Sequence, residues 1–387
     1  MNEGPNDKIK QYLEAIEKNP DDDRAYNDLG NAYYAEGQFE EAIKQYREAK
    51  RINTSESVYT SNIGDGYRAL GNYDEAIKHY EEALKINPKD DWAHNSLGNA
   101  YFSKRDYDRA IQCYQKAREI NPNHVYYSNI GDSYRNKGDF KKAVLFYNQA
   151  LAVNSEYDPA HNAIGVAYYS LGNYEKALEH YKEAVRINSG SYIYYSNLGD
   201  AYNAIERWDE AIESYEKAIQ INPDDDISNN NLGNSYFGLG LFSQAIEQYE
   251  KAMSAKPELP IYYSNIGDAN RRLKKWDKAI EYYKLAIEKA KTTNSSDEIY
   301  RKSLGFAFND RGVEHYGNKE DDKAIANYEE AIKFNSEDPV ILHNLYLAYN
   351  VRQRYKEAEV SLRRAVELDP GNSTYAQELN ELLSKVH

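Results

Sequence analysis

Four short stretches place the same hydrogen-bonding side chains at the same spacing. Ser61, Asn62, Asp65 and Arg68 recur as Ser128, Asn129, Asp132 and Arg135. They return as Ser196, Asn197 and Asp200, with Asn203 in place of the arginine, and as Ser264, Asn265, Asp268 and Arg271. Serine, aspartate and arginine follow one another by four and three residues, which puts them on one helical face with the asparagine at its border. An asparagine amide both donates and accepts, so rows of such groups can grip the N–H and C=O of an extended peptide. This is binding chemistry. Gly64-Asp65-Gly66 follows no predicted strand, and no nucleophile elbow or zinc motif stands in the chain. His94 and His161 occupy apolar packing positions, while His79 and His180 fall on second helices too scattered for metal-ligand spacing. No catalytic residue, cofactor site or metal site is expected, and the chain reads as non-enzymatic.

The four stretches follow one another by 67 or 68 residues, and a plainer copy lies midway between neighbours, so the unit is 34 residues long. Let Val58, Val125, Ile193 and Ile261 mark its second position; serine is then fifth, asparagine sixth, aspartate ninth and arginine twelfth. The intervening units carry Asn27, Asn95, Asn162 and Asn230 at position five. They carry Asn31, Asn99 and Asn234 at position nine, with Val166 as the exception, and Tyr34, Phe102, Tyr169 and Phe237 at position twelve. The candidate peptide-binding set is the strict ladders together with Asn95, Asn99, Asn162, Asn230 and Asn234. A plainer origin is also open. Asp and Arg three apart form surface pairs worth ~0.3 kcal/mol, and duplication of a two-unit block copies a ladder without any ligand.

Each unit needs two helices to carry these positions. In the first, Tyr26, Leu29, Gly30 and Tyr33 form one apolar stripe, and Ala42, Ile43, Tyr46 and Ala49 form another beyond a turn at Gly37. Gly30 and Ala42 are expected to let the two helices approach, with Tyr33 and Tyr46 filling space toward the neighbouring unit. Pro88, Pro122, Pro223 and Pro257 mark helix ends, because proline lacks the N–H and restricts the residue before it. The glycine recurs as Gly64, Gly98, Gly131, Gly165, Gly199, Gly233 and Gly267, and the second-helix tyrosine as Tyr80, Tyr114, Tyr147, Tyr181, Tyr215, Tyr249 and Tyr283.

On these residues the chain resembles the tetratricopeptide repeat family, whose pattern pairs Leu-Gly and Tyr in a first helix with Ala, an aromatic, Ala and a terminal Pro in a second. The resemblance implies an all-α fold, a right-handed superhelical solenoid of tandem helix-turn-helix repeats. It also implies that first helices line a concave groove into which the ladders point.

Three segments are expected: 1–22, a half repeat or cap helix; 23–290, eight regular units; and 291–387, a break, two divergent units and a capping helix. The break shows as 45 residues between Gly267 and Gly312, 11 more than the period. Longer helices should therefore flank Thr292–Ser296, with Ser296 or Asp297 as the N-cap. The divergent units carry Arg311 for leucine, Asp321 for an aromatic, Tyr346 for glycine and Leu362 for tyrosine.

A net charge of −15 over 387 residues argues against nucleic acid or anionic membranes as partners. No run is long and apolar enough to span a bilayer, and Met1–Asp7 lacks the pattern of a signal peptide. Cys113 stands alone, which suits a reducing cytoplasm. The basic run Arg271–Lys275 with Lys278 reads as a solvated helix end. The expected function is a scaffold holding an extended peptide or partner protein in the groove. Two alternatives stand beside it: the substrate-selecting arm of a larger enzyme, since asparagine ladders resemble those of protein O-glycosyltransferases, or an adaptor working through its convex face.

Overall fold

The computed structural model describes residues 5–386, so residues 1–4 of the expected N-terminal segment lie outside it. Among the described residues there are 22 α-helices and no strand. They fall into two compact units that divide between Ser189 and Gly190.

The first unit opens with α1 (Pro5–Lys18) and continues as five hairpins. These are α2 (Asp23–Ala35) with α3 (Phe39–Ile52), α4 (Ser57–Ala69) with α5 (Tyr73–Ile86), and α6 (Asp91–Ser103) with α7 (Tyr107–Ile120). Then come α8 (His124–Asn136) with α9 (Phe140–Val153) and α10 (Asp158–Ser170) with α11 (Tyr174–Ile187). Within the unit each second helix packs on the first helix of the next hairpin.

Local chemistry sets these boundaries. Asp22 and Asp90 cap α2 and α6 by accepting from Ala25 N and Ala93 N at 3.0 and 2.9 Å. Between α2 and α3 the chain turns through Gly37 at φ +74°, a left-handed conformation that costs glycine little. α5 and α7 end two residues short of Pro88 and Pro122.

The core repeats one contact. A Cβ added to Gly30 would lie 2.5 Å from the ring of Tyr46, and one at Gly131 would lie 2.6 Å from Tyr147. The glycine therefore makes room for the tyrosine of its own hairpin. Tyr46 also meets Ile63 of the next hairpin in one buried cluster, as expected of a residue that fills space toward the neighbouring unit. The ring needs a flat floor, and the hairpin's own first helix supplies it. Ala42, Ala76, Ala110, Ala143 and Ala177 on the second helices are fully buried.

The second unit holds α12 (Tyr192–Ala204) with α13 (Trp208–Ile221), α14 (Asp226–Gly238) with α15 (Phe242–Ala255), and α16 (Pro260–Arg272) with α17 (Trp276–Thr292). It continues as α18 (Glu298–Gly317) with α19 (Asp321–Phe334), α20 (Pro339–Val351) with α21 (Tyr355–Leu368), and a last helix α22 (Ser373–Val386). α17 and α18, which flank residues 293–297, run to 17 and 20 residues against 13 or 14 elsewhere in the unit. Asp297 sits at the α18 N-cap without a side-chain cap hydrogen bond, its carboxylate lying 3.9 Å from Arg301. Arg311 reaches Asn327 at 2.6 Å and Asp277 at 2.5 Å. The α20–α21 hairpin reverses the size pairing, with Tyr346 on the first helix and Leu362 on the second, both buried in one cluster. α22 covers that cluster with Tyr375 and Leu382 and leaves Glu381 exposed.

Candidate peptide-binding face

The ninth position is bonded inside its own hairpin. Tyr80, Tyr147, Tyr215 and Tyr283 donate their hydroxyls to Asp65, Asp132, Asp200 and Asp268 at 2.7, 2.8, 2.6 and 2.7 Å. Plainer hairpins make the same bond to an amide: Tyr46 to Asn31 at 3.0 Å, Tyr114 to Asn99 and Tyr249 to Asn234 at 2.9 Å. Burial pushes the carboxyls of Asp65, Asp200 and Asp268 above the usual carboxylate range, and the tyrosine bond opposes it. Position twelve extends the chain. Arg135 donates to the Tyr147 hydroxyl at 3.3 Å and to Asp132 at 3.1 Å. Asn203 does the same for Tyr215 at 3.2 Å, Arg68 lies 3.6 Å from Asp65, and Arg271 pairs with Asp310 at 2.7 Å.

Positions five and six join hairpins. Asn62 donates to Asn27 and Asn129 to Asn95, each at 2.8 Å, and Asn265 donates to Asn230 at 2.7 Å. Each bond runs from a strict unit to the plainer one before it. A second bond follows the same direction: Tyr59 donates to Asp23 at 2.9 Å, Tyr126 to Asp91 at 2.7 Å, and Tyr262 to Asp226. The return junction differs. Asn231 donates to Asp200 at 2.9 Å, and Ser235 to Asn203 at 2.8 Å. The Tyr–Asp bond has no counterpart at the return junctions of the first unit, where Ala93 and Ala160 hold the tyrosine's repeat position.

The serines correct the expectation that every ladder position lines an open face. Ser61, Ser128, Ser196 and Ser264 are buried, as is Asn95. The next hairpin closes over Ser196, where Ser228 lies 3.1 Å away. Asn62, Asp65, Arg68, Asn99, Asn129, Asp132, Arg135, Asn162, Asn197, Asp200, Asn230, Asn265, Asp268 and Arg271 are half-buried, and Asn31 and Asn234 are exposed.

The second position, which shares this helical face, is where the open apolar surface lies. In the first unit Val58 and Trp92 are exposed, with Val125 half-buried beside them. In the second unit Ile193, Ile227, Ile261, Phe306 and Val340 follow on five successive first helices. Among the exposed members of the row, exposure runs from 36 % at Phe306 to 61 % at Trp92. They belonged to no candidate set. The available signal was that they lie off the packing stripe at positions four, seven, eight and eleven.

One histidine pair was not anticipated: His161 and His180 face each other across the α10–α11 hairpin with Nδ1 atoms 3.3 Å apart. No helix among the described residues is long and apolar enough to cross a membrane.

Family models described as TPR or tetratricopeptide repeat match residues 11–44, 64–104, 92–124, 131–172, 159–191, 199–240 and 230–294. No curated protein matches the chain. Among solved structures, the C-terminal part of a TPR repeat-containing protein from Cytophaga hutchinsonii is 19% identical. That match covers 61% of this chain and 98% of the other, with a TM-score of 0.50. A tetratricopeptide repeat protein from Parabacteroides merdae is also 19% identical, covering 66% of this chain and 100% of its own, with a TM-score of 0.50. These two show the fold. MamA is 32% identical over 43% of this chain and 96% of its own, with a TM-score of 0.41.

Proposed function

The chain belongs to the tetratricopeptide repeat family, and we propose that it is a protein-interaction scaffold whose first helices hold an extended peptide. The exposed apolar row carries this reading. The asparagine and aspartate ladders already have partners within the fold and the serines are buried, so none of them requires a ligand to explain it. The row has no such account, since the core is complete without Ile193, Ile227 and Ile261 and water faces them at a cost.

The spacing supports a ligand class. Packed helices stand about 8–10 Å apart, and an extended chain advances about 3.3 Å per residue. A peptide crossing the first helices thus meets one row residue about every third residue, and should carry apolar side chains at that interval. Burying an isoleucine fully is worth about 1.5–3 kcal/mol, so three contacts give useful affinity even after ordering costs. The carboxylates and amides beside the row have acceptor capacity left to bind the peptide N–H groups.

Selection from a displayed peptide library tests this. Selected peptides should show the three-residue apolar interval and lose binding to an Ile193→Ser/Ile227→Ser/Ile261→Ser variant of unchanged helicity. Peptides that bind the variant as they bind the parent would remove the proposal.

A further inference from the structure

We infer that the bound peptide places a lysine or arginine side chain in a pocket between α18 and the α19–α20 turn. This rests on the apolar row as the peptide's track. The pocket has a volume of about 410 Å³ and is lined by Phe306 of α18 and Pro339 of α20. Phe306 belongs to the row, and Pro339 directly precedes the next row residue, Val340. A peptide running from Phe306 to Val340 therefore passes the pocket. It forms at this junction because α18 has 20 residues where α16 and α20 have 13. The extra residues add about two turns, and Lys302 on that extension lines the pocket.

An unpaired acceptor asks for a donor here. Gly305 stands at the repeat position of Asp23, Asp91 and Asp158. Those carboxylates accept from the amides of Asn53, Asn121 and Asn188 at 2.8, 2.9 and 3.0 Å. Asn335, the matching amide, has no carboxylate to meet. It packs over Gly305 and donates through Nδ2 to the Lys302 carbonyl oxygen at 3.0 Å. At Asn53, Asn87 and Asn154 the amide oxygen accepts from the backbone N–H two residues on. Asn335 is 8 % exposed, and its Oδ1 has no hydrogen-bond partner. A buried acceptor without a donor is costly, and Asn335 lines the pocket.

Charge selects a cationic donor. Glu337 and Asp338 also line the pocket. Asp338 is occupied as the α20 cap, accepting from Val340 N and Ile341 N at 2.9 and 3.1 Å. The neighbouring cations are engaged elsewhere: Lys302 with Glu298 at 2.8 Å, and Arg301 with Asp297 at 3.9 Å and over the Phe334 ring. Glu337 acts on Lys302 electrostatically without an ion-pair contact, which leaves its carboxylate open to a ligand cation. Phe306 and Phe334 offer apolar surface to the long stem of a basic side chain.

Displayed peptide libraries selected on the full chain and on Glu337→Lys test this. Glu337 is exposed in a turn, so the substitution leaves the core alone. Peptides selected on the parent should carry the three-residue apolar interval and, at one position between apolar contacts, lysine or arginine. On Glu337→Lys the interval should persist and the basic preference should vanish. Changing that peptide residue to glutamine should weaken calorimetric affinity about ten-fold for the parent and less than about two-fold for the variant. Peptides with the interval but no basic preference, or with a preference that survives Glu337→Lys, overturn the inference and leave the row reading standing. Peptides without the interval remove both.

Discussion

The Tyr215 hydroxyl donates to Asp200 Oδ1 at 2.6 Å, joining the two helices of one hairpin through a residue that the repeat pattern alone would assign to ligand binding. The same oxygen of Asp200 accepts from Asn231 of the following hairpin at 2.9 Å. One carboxylate thus closes its own hairpin and ties it to the next.

Asp200→Asn should therefore leave stability nearly unchanged at neutral pH or raise it slightly, because an amide already accepts this tyrosine bond at Asn31, Asn99 and Asn234. Asp200→Ala should cost about 1–3 kcal/mol in urea melts, since the Tyr215 and Asn231 donors both lose their acceptor.

The pH dependence has a definite sign. Burial raises the folded-state pKa of Asp200, so its charged form opposes folding. Its stabilising share is full below the unfolded carboxyl pKa and is lost as pH rises through the higher folded value. Any advantage of Asp200→Asn over the parent should shrink as pH falls from 7 toward about 4. Paired melts across that range check it; an advantage that grows on acidification contradicts the assignment.

Gly131→Ala places a methyl 2.6 Å from the Tyr147 ring, which is fully buried and cannot swing away. Overpacking of this kind costs about 1–3 kcal/mol. The α20–α21 hairpin suggests the remedy, since it carries Tyr346 and Leu362 where others carry glycine and tyrosine. Adding Tyr147→Leu should recover part of the loss, and additive melting shifts would show that the two positions do not share that space.

The Asn129–Asn95 bond predicts a coupling of about 0.5–1.5 kcal/mol in a double-mutant cycle to alanine. A coupling near zero would remove the amide ladder as a tie between hairpins.

The hairpins were legible in the sequence because glycine, alanine and tyrosine differ so much in size that their period reports packing directly. The two-unit alternation was legible as a pattern, but the bonds that follow it were not. Tyr59 and Asp23 are 36 residues apart, and nothing along the chain indicates that they bond. Ser61 was misplaced because helical spacing shows which residues share a face, not what the next repeat lays over it. Ile227 shares the ladder's helical face by its spacing, but binding chemistry was sought there in hydrogen-bonding side chains. His161 and His180 meet only after the hairpin folds back across 19 residues.

On the proposed reading, the apolar row binds the peptide while the polar ladder mainly holds the repeats together. Calorimetric titration of one selected peptide into two variants separates these roles. Ile193→Ser/Ile227→Ser/Ile261→Ser should weaken binding by about 100-fold, on the order of 3 kcal/mol, while Asp65→Asn/Asp132→Asn/Asp200→Asn/Asp268→Asn should change it by less than ten-fold. The reverse ranking, with the isoleucine variant binding like the parent, would contradict the account.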